Sequence, residues 1–205
     1  LYLCLAYENI ANDVPKKLKE QSVSQEKDIT KKLYIDYSLF KRELHHDLVL
    51  QNPEFDALEL FQKSQKLLDR FLFIFFAEDR NLLPTNLIFR INKEWRQLQE
   101  MRINISLYER YKVYFNDLNK GAKVSLPAFS ETVAAQKEEH QIFAYNGGLF
   151  QPDAILDNIK IDDELLFKHT QKLSHYDFQS EIDVNILGHI FENSLNELDE
   201  IKAQL

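Results

Sequence analysis

The segment FLFIFFA, residues 71–77, is a run of seven apolar residues, so it has no polar face and must be enclosed on all sides. Asn52 is a favourable N-cap, Pro53 suits the first helical position, and Pro84 marks the stop. Apolar residues between these points recur at steps of three and four, as in a helix: Phe55, Leu58, Phe61, Leu67, Leu68. The sequence therefore predicts a central helix over residues 52–80, about 40 Å long, around which other helices pack.

Composition points to an all-α fold. The chain has 205 residues, of which 44% are hydrophobic, enough for a substantial core. Only 4 glycines and 5 prolines occur, few for the many turns of a β-sandwich or barrel. At most a short β-hairpin is expected near residues 142–150, where Asn146-Gly147-Gly148 is the strongest turn sequence.

Further helices follow from apolar stripes and capping residues. Asp28 is expected to cap a helix through Leu50 that packs antiparallel to the central helix, after a polar loop over residues 16–27. A capping box, Ser180 with Asp183, opens a last helix that still runs at the final residue. Two more helices are predicted over residues 86–101 and 131–138. Ser106 is expected to cap a helix that ends before Gly121, and Asp162 with Asp163 to open a helix through about residue 173.

These elements predict the domain organisation. Residues 1–27 are interpreted as the end of a preceding element plus a loop, and residues 28–205 as one helical domain with room for a sub-boundary near 120–140. The chain lacks an initiator methionine, so we expect a fragment of a longer polypeptide. The apolar run at 71–77 is far shorter than the ~18–20 residues of a membrane span, and no signal peptide is evident. We therefore expect a cytoplasmic location and no membrane partner.

No catalytic, cofactor-binding or metal-binding constellation is visible in the sequence. Nucleotide-binding loops need clustered glycines, which are absent, and the single Cys4 is expected to be a buried structural thiol. His45-His46 and His169 with His175 are interpreted as surface or capping histidines rather than metal ligands. Pro152-Asp153 with Glu200-Ile201-Lys202 matches a nuclease pattern by letter, but residues 200–202 sit in a helical pattern, so we interpret the match as coincidence.

Basic residues on two predicted helices are the candidate contacts with DNA or with another domain. Three lie on one side of the central helix together with Asp69: Lys66, Arg70 and Arg80. Four others gather around Trp95: Arg90, Lys93, Arg96 and Arg102. They could meet phosphates, although a solvated helix face with a few ion pairs explains the same pattern, and we favour that interpretation.

Net charge argues against an independent nucleic-acid binder. The total of −8 arises entirely from residues 141–205, which contain 4 basic and 12 acidic residues, whereas residues 1–140 contain 21 of each. Affinity for phosphate depends on clustered positive charge, so an acidic chain binds DNA poorly by itself.

Three stretches together resemble the region that precedes the methyltransferase domain in type IIG restriction-modification enzymes, which are bacterial single-chain proteins. The first is QKLLDRFLFIFFAEDRNLLP, residues 65–84. The second is AYNGGLF, residues 144–150, followed by IDDEL, residues 161–165. The third is YDF, residues 176–178, with IDVNILGHIFENSL, residues 182–195. The resemblance covers roughly residues 30–205.

The resemblance implies a parent polypeptide with an endonuclease domain, a helical connector, an adenine-N6 DNA methyltransferase and a target-recognition domain. S-adenosylmethionine and Mg²⁺ are expected as cofactors of the parent, with none in this fragment. The family's cofactor loop and its Asn-Pro-Pro-Tyr-type motif do not occur here, so no catalytic residue can be assigned to this chain. Its partners would be the nuclease and methyltransferase domains, with DNA bound through the parent.

We therefore expect a non-catalytic helical connector that sets the relative position of nuclease and methyltransferase. A free-standing helical protein-interaction module, or regulatory subunit, is the alternative. A third hypothesis, an independent DNA binder, predicts affinity with steep salt dependence.

Overall fold

The structure, a computed structural model, describes residues 14–127, 137–145 and 147–178, together with residues 182, 188 and 190. These ranges contain five helices and one two-stranded sheet, which confirms the mostly helical fold class. In chain order the elements are α1 (Val14–Gln51), α2 (Ala57–Asp79), α3 (Leu87–Glu100), α4 (Leu107–Lys120), β1 (Ala122–Pro127), β2 (Lys137–Ile142) and α5 (Asp163–Leu173). Cys4 and almost all of the predicted last helix lie outside the described residues.

Helix α1 begins at Val14, so the prediction of a loop over residues 16–27 and of an N-cap at Asp28 was wrong. Pro15 fits the first turn of a helix, and the Lys, Glu and Gln residues that follow are good helix formers without any apolar period. The boundary predicted after residue 27 therefore falls within a continuous helix.

The central helix α2 begins later than predicted. Its N-cap is Asp56, whose carboxylate accepts hydrogen bonds from the amides of Leu58 at 2.9 Å and Glu59 at 3.2 Å. Asn52 and Pro53 belong to the connection from α1, because the buried Asn52 side chain bonds to a distant loop instead of capping the helix. With 23 residues, α2 is about 34 Å long.

Helix α1 packs antiparallel to α2, as predicted. The ring of His45, late in α1, meets Phe61 early in α2 at 5.3 Å, whereas Tyr37, earlier in α1, accepts a hydrogen bond from Gln65 at 2.9 Å. One hydrophobic core includes the inward faces of all five helices. Within it, the side chains of Phe71, Ile74 and Phe75 on α2 are fully buried.

The caps predicted for α4 and α5 are confirmed. Ser106 accepts a hydrogen bond from the Tyr108 amide at 3.1 Å, and Asp162 accepts one from the Leu165 amide at 2.7 Å. Gly121 ends α4 with φ 79°, and a Cβ there would lie 3.2 Å from the backbone nitrogen of Ala144.

The sheet lies earlier in the chain than predicted. Strands β1 and β2 pair antiparallel, with Ala122 opposite Ile142, so the hairpin expected near residues 142–150 was misplaced. Gly147 and Gly148 instead form a turn after the sheet. Strand β2, KEEHQI, is mostly polar and shows no apolar alternation, which is why the sequence did not reveal it. The helix predicted over 131–138 is outside the described residues except for its end, which lies in β2.

Candidate functional site

Arg70 joins the first two stretches of the resemblance. Its Nε donates to the carbonyl oxygen of Leu149 at 2.9 Å and its Nη2 to that of Gln151 at 3.0 Å. The guanidinium also lies over the rings of Phe115 at 5.1 Å and Phe150 at 5.9 Å. Only 2% of Arg70 is exposed, so it is an interior link and not a surface residue.

Aromatic contacts extend this link along α2. The ring of Phe73 lies 4.3 Å from that of Tyr145 and 5.3 Å from that of Phe150, both in the second stretch. Stacking of this kind contributes beyond simple burial of apolar area. The segment after the sheet is therefore fixed to the middle of α2.

Residues 176–178, the described part of the third stretch besides a few single positions, meet the end of α2. The ring of Phe178 stacks on Phe75 at 5.3 Å and meets the edge of Phe76 at 5.1 Å. Its amide nitrogen donates to the Asp79 carboxylate at 2.6 Å. Segments 80 to 100 residues apart in sequence therefore form one packed unit around α2.

Asp153 is a second polar link between α2 and the same segment. One of its carboxylate oxygens accepts from Lys63 at 2.7 Å and Lys66 at 2.9 Å, and the other accepts from the amides of Ile155 and Leu156. Burial alone would raise the pKa of Asp153, but the two lysines and the amide hydrogen bond hold it well below its usual range. This carboxylate is already bonded by protein groups, and the interpretation of Pro152-Asp153 as a coincidental nuclease match stays a prediction.

Four of the seven candidate contact residues bond within the protein. Besides Lys66 and Arg70, Arg90 pairs with Glu138 at 2.7 Å, and Arg96 forms two hydrogen bonds to Glu164 at 2.8 and 2.7 Å. These pairs join α3 to β2 and to α5.

Three candidates have no ion pair among the described residues: Arg80, Lys93 and Arg102. Arg80 lies over the ring of Phe76 at 5.5 Å. These three stay predictions as contacts with DNA or another domain, and the structure gives the buried Arg70 an internal role.

His169 is not a surface residue, so that prediction was wrong. It is 2% exposed, stacks on Phe40 at 4.7 Å, and its Nε2 lies 2.7 Å from the Glu43 carboxylate. Burial lowers the pKa of His169, although Glu43 acts in the opposite direction. Its partners come from α1, 126 residues earlier, which no local pattern could indicate.

Burial raises the pKa values of three acidic groups on α2, most strongly those of Glu78 and Asp69. Burial raises the pKa of Glu78 to about 8, even though its Oε2 accepts from the Ile88 amide at 3.3 Å. Burial likewise raises the pKa of Asp69 to about 6, opposed by a hydrogen bond from Gln65. Neither residue lies in a group of metal ligands: no cluster of three or more His, Cys, Asp or Glu side chains suited to a metal occurs in the described part of the chain.

Sequence reasoning missed several residues that organise the fold, namely Glu43, Asn52, Glu78, Asp153 and His169. Asn52 was interpreted as an N-cap, Asp153 as part of a coincidental match and His169 as a surface or capping residue, whereas no local pattern singled out Glu43 or Glu78. The contacts Asn52–Lys160, Lys63–Asp153 and Glu43–His169 each join residues 90 or more positions apart, which a local pattern does not indicate. Within the described ranges, no helix is long and apolar enough to cross a membrane. Comparison of the chain with protein-family models, with curated proteins and with solved structures found no match in any of the three.

Proposed function

We propose that this chain is a non-catalytic helical connector of a bacterial type IIG restriction-modification enzyme. In that role it would hold an endonuclease domain and an adenine-N6 methyltransferase domain at a fixed distance and orientation. One observation supports the proposal: the second of the three resembling stretches, and residues 176–178 of the third, both pack on the first, in α2, through Arg70, Phe73 and Phe178.

The chemistry of these contacts suits a positioning role. In the three stretches, the side chains of Arg70, Phe73, Phe75 and Asp79 bind other parts of the same chain. A densely packed interior is stiff and transmits position well. Residues used in this way support a scaffold rather than a catalytic site.

Catalysis would then belong to other domains of the parent, which would bind S-adenosylmethionine and Mg²⁺. The parent would act on DNA in the cytoplasm. At least eight of the described lysine and arginine side chains form ion pairs within the protein, and the chain carries a net charge of −8, which supports contact with DNA mainly through the neighbouring domains.

Paired assays test the proposal. The 205-residue chain is incubated with DNA and tritiated S-adenosylmethionine, and separately with DNA and Mg²⁺, beside the product of the complete gene. We expect no methyl transfer and no cleavage by the chain alone, and adenine methylation by the complete product. Activity in the chain alone would overturn the proposal.

Exposed apolar side chains support the alternative, a protein-interaction module. Phe143 is 76% exposed, Met101 70% and Leu82 69%, whereas most large apolar side chains of the described residues are buried. A gene that ends at Leu205 would favour this alternative. A gel-shift titration tests the third hypothesis, that the chain binds DNA independently. An independent DNA binder must shift DNA at low salt, and its affinity must fall steeply as the salt concentration rises.

A further inference from the structure

A cavity of about 220 Å³ lies between α4 and the segment that follows the Gly147-Gly148 turn. Its polar lining comes from Arg70, Lys112, Asn116, Asn119 and Asp157. Polar groups converging on a recess that also has aromatic walls are typical of a binding site.

Arg70 presents an unused donor to this cavity. Its Nε and Nη2 are hydrogen-bonded to carbonyl oxygens, and its Nη1 has no hydrogen-bond partner among the described residues. Arg70 lines the cavity although only 2% of it is exposed, so Nη1 is the nitrogen left to meet a bound group. The two N–H groups on Nη1 need acceptors, and in a buried guanidinium a group bound in the cavity can supply them.

The charge of Arg70 also lacks a hydrogen-bonded carboxylate. Burial lowers the pKa of Arg70, yet an arginine in a protein stays protonated. Asp153 is occupied by two lysines, and Asp157 accepts the amide N–H of Asp153 at 2.9 Å. A buried cation that has no anion hydrogen-bonded to it is energetically costly, and an anion bound in the cavity would remove that cost.

We propose that this cavity binds a monoanionic oxyanion group, a carboxylate or a phosphodiester, through Arg70 Nη1, with the Asn116 and Asn119 amides completing the shell. Lys112 stands beside it, held by Glu109 at 2.5 Å and by the carbonyl oxygen of Asp157 at 2.9 Å. The site does not depend on the connector role, and either can hold without the other.

Size and charge define the ligand class. Pockets for drug-sized ligands start at about 300 Å³, so this cavity suits a small molecule or a single group of a larger one. The ionisable lining residues are Arg70, Lys112 and Asp157, and Lys112 is also paired with the exposed Glu109, so the site carries at most one positive charge. A monoanion balances that charge, whereas a dianion would be repelled by Asp157.

Nuclear magnetic resonance of the ¹⁵N-labelled chain tests the site directly. Sodium acetate and dimethyl phosphate serve as probes, each titrated at an ionic strength held constant with sodium chloride. We expect saturating shifts of the Arg70 Nε–H and the Asn116 and Asn119 side-chain amides, with millimolar affinity, and none for the exposed Asn104 amide. Shifts that rise linearly with both probes, or equal those from chloride alone, would overturn the proposal.

Matched variants on α4 make the test specific, and they spare Arg70 because it also holds the backbone at Leu149. Asn119→Asp adds a negative charge to the lining and should weaken acetate binding roughly threefold to tenfold. Lys112→Met should weaken it as well, whereas Lys120→Met, on the same helix but outside the cavity, should not. If acetate bound to all three variants with equal affinity, it would bind elsewhere on the chain, and the proposed site would be refuted.

The source of the anion is resolved by the probes. Saturation by acetate but not by dimethyl phosphate supports a small carboxylate. Saturation by dimethyl phosphate, with tighter binding of a short single-stranded oligonucleotide that Asn119→Asp weakens, supports a nucleic-acid phosphodiester. Oligonucleotide binding that Asn119→Asp and Lys112→Met leave unchanged counts against the cavity.

Discussion

The side chain of Asn52 forms two hydrogen bonds with the backbone of Lys160, 108 residues later: Nδ2 donates to the carbonyl oxygen at 2.9 Å, and Oδ1 accepts from the amide nitrogen at 2.7 Å. Nδ2 also donates to the carbonyl oxygen of Leu48 at 2.9 Å. The fully buried amide therefore fixes the joint between α1 and α2 to the loop before α5.

Replacing Asn52 with alanine should destabilise the fold, because it removes the three hydrogen bonds that this fully buried amide makes with the backbone of Lys160 and Leu48. We expect a loss of about 2–4 kcal/mol in the free energy of unfolding, measured by urea denaturation. Asn104→Ala, at an exposed position, should change it by less than about 0.5 kcal/mol. Equal effects of the two substitutions would show that the Asn52 contacts contribute little.

Arg70→Met should also destabilise the chain. It removes two hydrogen bonds from a charged donor to the carbonyl oxygens of Leu149 and Gln151, each with a contribution of about 1.5 kcal/mol. Arg80→Met, at the C-cap of the same helix, is the control: Arg80 is exposed, its guanidinium lies over the ring of Phe76, and the substitution should cost less than about 1 kcal/mol. If Arg70→Met is no more harmful than Arg80→Met, the link between the first two stretches is not a stabilising one.

Glu78→Gln should remove a pH dependence. The pKa of Glu78 is about 8 in the fold against an ordinary value of 4.5, so between these values the folded chain binds more protons than the unfolded chain. Stability from this residue is therefore lost as pH rises from about 4.5 to 8, by on the order of 4 kcal/mol. Glutamine retains an acceptor for the Ile88 amide and cannot ionise.

In urea titrations, we expect the Glu78→Gln chain to be more stable than the unsubstituted 205-residue chain at pH 9, and the two chains to be similarly stable at pH 5. Glu59→Gln, at an exposed position on α2, controls for loss of a charge and should leave the pH dependence unchanged. If the difference in stability between the unsubstituted chain and Glu78→Gln were the same at pH 9 as at pH 5, the raised pKa of Glu78 would be contradicted.

His169 should give a pH dependence of stability opposite to that of Glu78. Burial lowers its pKa, so the unfolded chain takes up a proton more readily below about pH 6.5, and stability falls as the pH falls. His169→Gln keeps an N–H donor for Glu43 but cannot titrate, so its unfolding temperature relative to that of the unsubstituted chain should be higher at pH 5 than at pH 7. His46→Gln, at an exposed position, should have the same relative unfolding temperature at both pH values; an equal change in the two variants would count against the buried pair.

The sequence predicted the elements whose evidence is local. The apolar run at 71–77 indicated α2, and Ser106 and Asp162 marked the starts of α4 and α5 through bonds to amides two or three residues away. Misplaced elements had the opposite property. Strand β2 is polar and owes its place to pairing with β1, and the first half of α1 has no apolar stripe.

Links across the fold were beyond sequence reasoning for the same reason. The pairs Arg70–Leu149 and Glu43–His169 join residues 79 and 126 positions apart. A basic residue on a helix gives no indication of whether its partner is solvent, a phosphate or a distant carbonyl group. Lys66 and Arg90 were therefore grouped with Arg80 as contact candidates, although the first two pair with Asp153 and Glu138.

The connector role is tested most directly by methyl transfer from tritiated S-adenosylmethionine to DNA, measured for the complete gene product beside the 205-residue chain. We predict label on adenine N6 with the complete product and none with the chain alone. A gene that stops at Leu205 and whose product transfers no methyl group, or label deposited by the chain alone, would contradict it.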